Sequence, residues 1–243
     1  MQIIDLSLLI RDGLQSYPSH PPIRIAPHNT FEETAPRYTP PCQGFSSKMI
    51  SISDHGGTHV DAPVHFVPGG ASITDQPLGR HMGPGVLLDV SSKPASQPVT
   101  GAMLEQAERA AGVRVGEGDI VLIRCWPGQW GDPGFLEAAA LAADAADWLL
   151  ARKVRAVGLD LGNVDTGRDM ARPVHMKLLP AGMPVYENLC NLDKLPPRFF
   201  FIGLPLRLEG ATASPVRAVA LVGEPWTSLT GVSDASGSAA GGR

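Results

Sequence analysis

Apolar and polar residues alternate from Ile3 to Leu9, which predicts a strand closed by a turn at Gly13. Lys48 to Ser53 predicts another. Gly85 to Val90, Asp119 to Trp126 and Val154 to Leu161 are short apolar runs with the length and flanks of buried strands. Thr100 is placed to cap a helix over about Ala102 to Ala111, ended by Gly112, and the Ala- and Leu-rich stretch from Phe135 to Arg152 has the length of a second helix. Arg198 to Leu208 and Val216 to Val222 predict late strands. Pro27 to Ser47 has no period and reads as a long loop, of the kind that serves as a lid or is disordered. Strands and helices in this alternation predict a fold of mixed α and β. The expectation is one domain over residues 1–227 and a flexible tail over residues 228–243, where Gly, Ser and Ala leave too little apolar surface to offset ordering.

The densest chemistry lies between Ser53 and Phe66, where His55, His59, Asp61 and His65 fall within eleven residues. Gly56 and Gly57 argue against a helix, since each costs about 1 kcal/mol relative to Ala. A strand, a tight Gly-Gly turn and an extended segment ended by Pro63 fit better. In that geometry His59 and Asp61 point to one side, and the turn returns His55 towards them. Two imidazole nitrogens and a carboxylate then converge with room for water, the open arrangement of a catalytic metal site. His65 remains beside them. A solvated polar loop is the alternative, and four such side chains in so short a segment weigh against it.

The pattern His-x-Gly-Thr-His-x-Asp-x-Pro-x-His, filled from His55 to His65, resembles the signature of the cyclase-type metal-dependent hydrolases, the family containing bacterial kynurenine formamidase and isatin hydrolase. The resemblance implies an α/β fold, a mixed layered sheet with helices in a swivelling β/β/α, cyclase-like domain, usually dimeric or tetrameric. It also implies a proton-transfer role for His65. Tyr17, before Pro18, stands where kynurenine formamidases usually carry a substrate-touching Trp, so a substrate contact is implied; packing as a turn aromatic is the alternative. His175, then Glu187-Asn188-Leu189 twelve residues on, resembles the family's second ligand group. By that likeness His175 binds a second metal, with Glu187 and Asp61 as bridges, although some members use one ion. Pro173 suits the first turn of a short helix and Gly182 its end, placing His175 at a helix N-terminus that disfavours imidazolium. Asp160 and Asp165 match the acids of the family's Asp-Thr-x-Ser-x-Asp, but Leu161 and Asn163 replace its Thr and Ser. Capping a turn or orienting a ligand histidine is the favoured role for both acids, ahead of direct chemistry.

Zn or Mn, as one ion or two, suits imidazole with carboxylate. The expected reaction is hydrolysis of a carbon–nitrogen bond in a small aromatic or cyclic amide such as N-formylkynurenine or isatin. Lactone hydrolysis and a silent metal- or small-molecule-binding protein are the alternatives, and His65 favours an enzyme because mere binding needs no proton shuttle. The net charge of −4 offers no field for nucleic acid. Met1 to Gly13, interrupted by Asp5 and Arg11, fits neither signal peptide nor membrane span, so a cytoplasmic protein is expected. Three cysteines without Cys-x-x-Cys spacing argue against disulfides or a thiolate metal site. His20 and His28 read as solvated. Gly-x-Ser-x-Gly, phosphate-loop and dinucleotide motifs are all absent.

Overall fold

The structure is a computed structural model and describes residues 1–167 and 169–223. Along the chain the strands are β1 (Gln2–Asp5), β2 (Arg24–Asn29), β3 (Ser47–Ser51), β4 (His59–Asp61), β5 (Met82–Asp89), β6 (Ile120–Arg124), β7 (Ala156–Leu159), β8 (Val185–Glu187), β9 (Arg198–Ile202), β10 (Ala213–Pro215) and β11 (Val219–Val222). The helices are α1 (Phe31–Thr34), α2 (Gly101–Ala110), α3 (Ala143–Ala151) and α4 (His175–Leu178). Among the described residues nine strands form one sheet in the order β1-β11-β9-β5-β6-β7-β8-β4-β10, while β2 and β3 pair separately. The centre from β5 to β8 is parallel and the flanks are antiparallel, giving the mixed α/β architecture.

Side chains of the central strands alternate between two cores. Val86, Leu88, Val121, Ile123, Val157 and Val185 pack with Leu104 of α2, Leu149 of α3 and Leu178 of α4. Leu87, Ile120, Leu122 and Tyr186 face the other way, onto Ile4, Val60, Phe199, Phe201 and Ala220. Those partners come from outer strands of the same sheet, so the sheet curls over its second core without needing helices there. Each face is apolar for its own reason, which is why the central strands read as continuous apolar runs.

Three expectations change. Phe135 to Arg152 is helical only in α3. Its first half is a turn through Glu137 and then an irregular stretch, with Leu141 bridged to Val99 and Asp165 and the Ala139 N–H donating to the Ala95 carbonyl. Those tertiary bonds outweigh Ala/Leu propensity, which is worth only tenths of a kcal/mol per residue. Pro27 to Ser47 is not a featureless loop: it holds part of β2 and then α1, capped reciprocally by Thr30 and Glu33. Strand β3 matches the one expected from Lys48, whereas its partner β2 leaves most of its residues exposed on both faces, so no alternation betrays it. Strands β8 and β10, three residues each, escaped the periodicity altogether. The tail expected over 228–243 lies outside the described residues. Among those residues no helix is long and apolar enough to cross a membrane.

Beneath the sheet, the fully buried His81 places Nδ1 2.8 Å from the Tyr186 hydroxyl, which donates to the Gly203 carbonyl at 2.9 Å. Burial, with Arg80 nearby, lowers its pKa from 6.5 to about 4. A histidine with a depressed folded pKa leaves the unfolded chain binding more protons between those values. Its contribution is therefore intact above pH 6.5 and is lost as pH falls towards 4. The loss is on the order of 3 kcal/mol. Urea midpoints of wild type and His81→Phe across this window will diverge, the variant losing less; parallel curves would refute the assignment.

Candidate metal centre

Strand register builds the site. In the antiparallel pair of β4 and β8, His59 stands directly opposite Glu187 and Asp61 opposite Val185, while Val60 between them enters the second core. His59, Asp61 and Glu187 therefore share a face. The turn before β4 brings His55 to them, with Gly57 at φ 71°, a left-handed backbone that costs glycine little. After β4 the chain enters a single 3-10 turn at Pro63–His65, which lays the His65 ring 4.1 Å from that of His55. The crossover from β7 to β8 supplies His175 at the start of α4.

His55 Nδ1 lies 2.9 Å from Asp61 Oδ1, and His59 Nε2 lies 3.5 Å from the same oxygen and 3.5 Å from Glu187 Oε2. His175 Nε2 is 3.3 Å from Asp61 Oδ2 and 3.5 Å from Glu187 Oε1. All five side chains are buried, whereas His65 is half-buried. Donor atoms fall within 4.8 Å of one another in two groups, His55–Asp61–His65 and His59–Asp61–Glu187, which share Asp61.

Each deeply buried histidine has one nitrogen tethered and the other turned inward. Nδ1 of His59 is held by the Gly57 carbonyl at 2.9 Å, and Nδ1 of His175 by Asp165 Oδ2 at 2.6 Å. His55 is tethered through Nε2, 2.9 Å from the Thr212 hydroxyl. Asp61 Oδ1, at the focus, is buried and has no hydrogen-bond donor. An orphaned carboxylate oxygen facing inward-turned imidazoles fits a divalent cation, because a buried carboxylate needs a positive partner.

The electrostatics agree. Burial opposes charge on His59, but Glu187 and Asp61 overcome it and raise the pKa to about 9. His175 is likewise raised well above its usual value, burial being outweighed by Asp165, Asp61 and Glu187. Burial resists ionisation of Asp61, yet His175, His55 and His59 hold its pKa well below the usual range. Without a metal the carboxylates attract protons onto the imidazoles, the sites an ion would take instead. For His175 this reverses the expectation drawn from the helix: α4 is a single turn, and the carboxylate of Asp165 outweighs its dipole.

The two loop acids have separate tasks. Asp165 accepts from the N–H groups of Val174 and His175 as well as from the His175 ring. Asp160 accepts from the N–H groups of Cys125 and Trp126, and burial raises its pKa to about 7. Tyr17 is half-buried at a cleft lined also by Phe135, Gly162 and Asn163. His20, expected in solvent, is half-buried with its ring 5.6 Å from both Tyr17 and His55. Gln15 Nε2 donates to the Pro18 and His20 carbonyls and folds this turn inward. Sequence reading also missed Asn188, whose side chain accepts from Trp130 Nε1 and donates to the Gly57 carbonyl that holds His59. Only contact across the fold reveals these groups.

Residues 4–166 match the family model described as "Putative cyclase". The chain belongs to the cyclase family. A kynurenine formamidase from Sphingopyxis alaskensis is 31% identical to it over 90% of this chain and 97% of the relative. Isatin hydrolase A from Ralstonia solanacearum has a similar structure, with a TM-score of 0.76 and 28% identity over 91% of this chain and 92% of its own. A solved structure described as a potential metal-dependent hydrolase with cyclase activity gives a TM-score of 0.72 at 28% identity, covering 92% of this chain and 99% of that one. This cyclase-family chain is accordingly a hydrolase with a small-molecule substrate, and the buried donor set together with the metal-dependent neighbour supports a divalent metal as its cofactor.

Proposed function

We propose that this chain is a metal-dependent amidohydrolase that cleaves the carbon–nitrogen bond of a small aromatic or cyclic amide, of the kind represented by N-formylkynurenine and isatin. The observation carrying it is the unpaired Asp61 Oδ1 between His55 Nδ1 and His59 Nε2. The names of the relatives support the choice of bond. Zinc or manganese is the ion, since the donors are imidazole nitrogens and carboxylate oxygens. His55, His59 and Asp61 would hold the first ion, and His175 and Glu187 would hold a second where two are bound, with Asp61 and Glu187 available to both.

When bound, the ion lowers the pKa of its water to about 7 and polarises the scissile carbonyl. Gly57 and Asp165 hold a proton on Nδ1 of His59 and His175 and so aim Nε2 of each ring inward, where a metal would replace the proton that the carboxylates otherwise attract. His65, less buried than the others, takes a proton from the attacking water and returns it to the leaving nitrogen. Tyr17 contributes an aromatic wall on the substrate side. Three free cysteines agree with a cytoplasmic location. Exposed Met49, Ile50 and Phe31 on the arm around β2 and β3 favour a homo-oligomer, dimer or tetramer.

The test compares N-formylkynurenine, isatin and an unsaturated lactone on protein loaded in parallel with Zn or Mn, with light scattering on the same samples. Turnover of an amide and a dimer or tetramer are expected. Cleavage of the lactone alone would replace amidase by lactonase on the same centre.

A further inference from the structure

His55 is held differently from its neighbours. His59 and His175 are tethered at Nδ1 and present Nε2, whereas His55 is tethered at Nε2 and presents Nδ1 to Asp61. Its tether is the Thr212 hydroxyl, just before β10. That hydroxyl donates its single proton to Asp54 Oδ2 at 2.8 Å, and the same oxygen accepts from the Thr212 N–H at 3.1 Å. The Thr212 carbonyl in turn accepts from the Ala62 N–H at 2.9 Å, so the residue is fixed on three sides.

A hydroxyl has one proton and two lone pairs. With the proton committed to the carboxylate of Asp54, Thr212 Oγ1 faces His55 only as an acceptor. His55 must then carry a hydrogen on Nε2, so that in the neutral ring the Nδ1 lone pair is the one directed at Asp61 Oδ1, 2.9 Å away. Two acceptors at that distance repel unless a proton or a metal ion joins them. We propose that Asp54 and Thr212 are positioning residues that set the Nε2–H tautomer of His55 and so prepare Nδ1 as a metal donor. This rests on the metal-centre reading above.

The test combines zinc titration with the imidazole ¹⁵N spectrum at mildly alkaline pH, zinc-free and zinc-loaded, for wild type, T212V, T212S and D54N. Wild type should give the Nε2–H tautomer at His55. T212V removes the acceptor and should weaken zinc binding by about 10–100-fold, the usual cost of losing a group that orients a ligand. T212S keeps the hydroxyl and should restore binding. D54N can donate to Thr212 Oγ1, freeing the hydroxyl proton for the ring, and should shift His55 towards Nδ1–H. Unchanged zinc binding and tautomer in T212V, or T212S as weak as T212V, would overturn the relay. A wild type that binds no zinc would overturn the metal centre, and the zinc-free spectra would still decide the relay: Nε2–H lost in T212V supports it, Nε2–H kept overturns it.

Discussion

His59→Ala protein, loaded and purified beside wild type, will emerge with most of its metal gone and with activity reduced in proportion. The reason lies in the register of β4 and β8. His59 is the cross-strand partner of Glu187, and its Nε2 stands 3.5 Å from both Glu187 Oε2 and Asp61 Oδ1. The strand fixes the backbone here and the adjacent Val60 belongs to the core, so no neighbouring position of β4 turns in to replace it. Losing a donor should cost more than the roughly 10–100-fold assigned to a residue that merely orients one. Elemental analysis reads the result directly. Wild type should hold at least one ion per chain, and His59→Ala with undiminished metal would remove His59 from the donor set. A wild-type count near one would restrict the claim made for His175 and Glu187.

His65→Ala tests a different link, and geometry makes the outcome informative. The His65 ring packs 4.1 Å from His55, and one of its nitrogens falls within 4.8 Å of donor atoms on His55 and Asp61. It is therefore near enough to bind metal as well as to move a proton. As a proton shuttle, its loss leaves metal content largely intact and lowers kcat by roughly 10²–10⁴-fold, with one limb missing from the pH-rate profile. As a ligand, metal falls with activity. Metal and kinetics must come from the same samples; a metal-free or fully active His65→Ala would defeat the shuttle. Asp165 is a poor substitute in that case, since its carboxylate is engaged by His175 and two backbone N–H groups.

Much of the centre was legible because its parts are close in sequence. His55, His59, Asp61 and His65 reveal themselves through residue type and spacing, and Gly56-Gly57 and Pro63 dictate a turn and an extended segment by local sterics alone. The central strands were legible too, since β5, β6 and β7 bury both faces and carry unbroken apolar runs. His175 and Glu187 were reachable only through likeness to a family, because nothing local distinguishes one histidine or one acid from a solvated one.

What the tertiary structure alone decided is which distant groups meet. Pairing of β4 with β8 sets Glu187 against His59, and the β7–β8 crossover sets Asp165 against His175. The edge of the sheet brings Thr212 to His55, and the folded turn after Gln15 brings in His20. The same long-range bonds stop Phe135 to Ala142 from becoming helix, against its composition. Sequence determines short-range geometry and the chemical character of side chains, through sterics and patterning that act over a few residues. Tautomers, pKa values and donor convergence depend on separations of a few ångströms between residues far apart in the chain, and only the packed sheet fixes those distances.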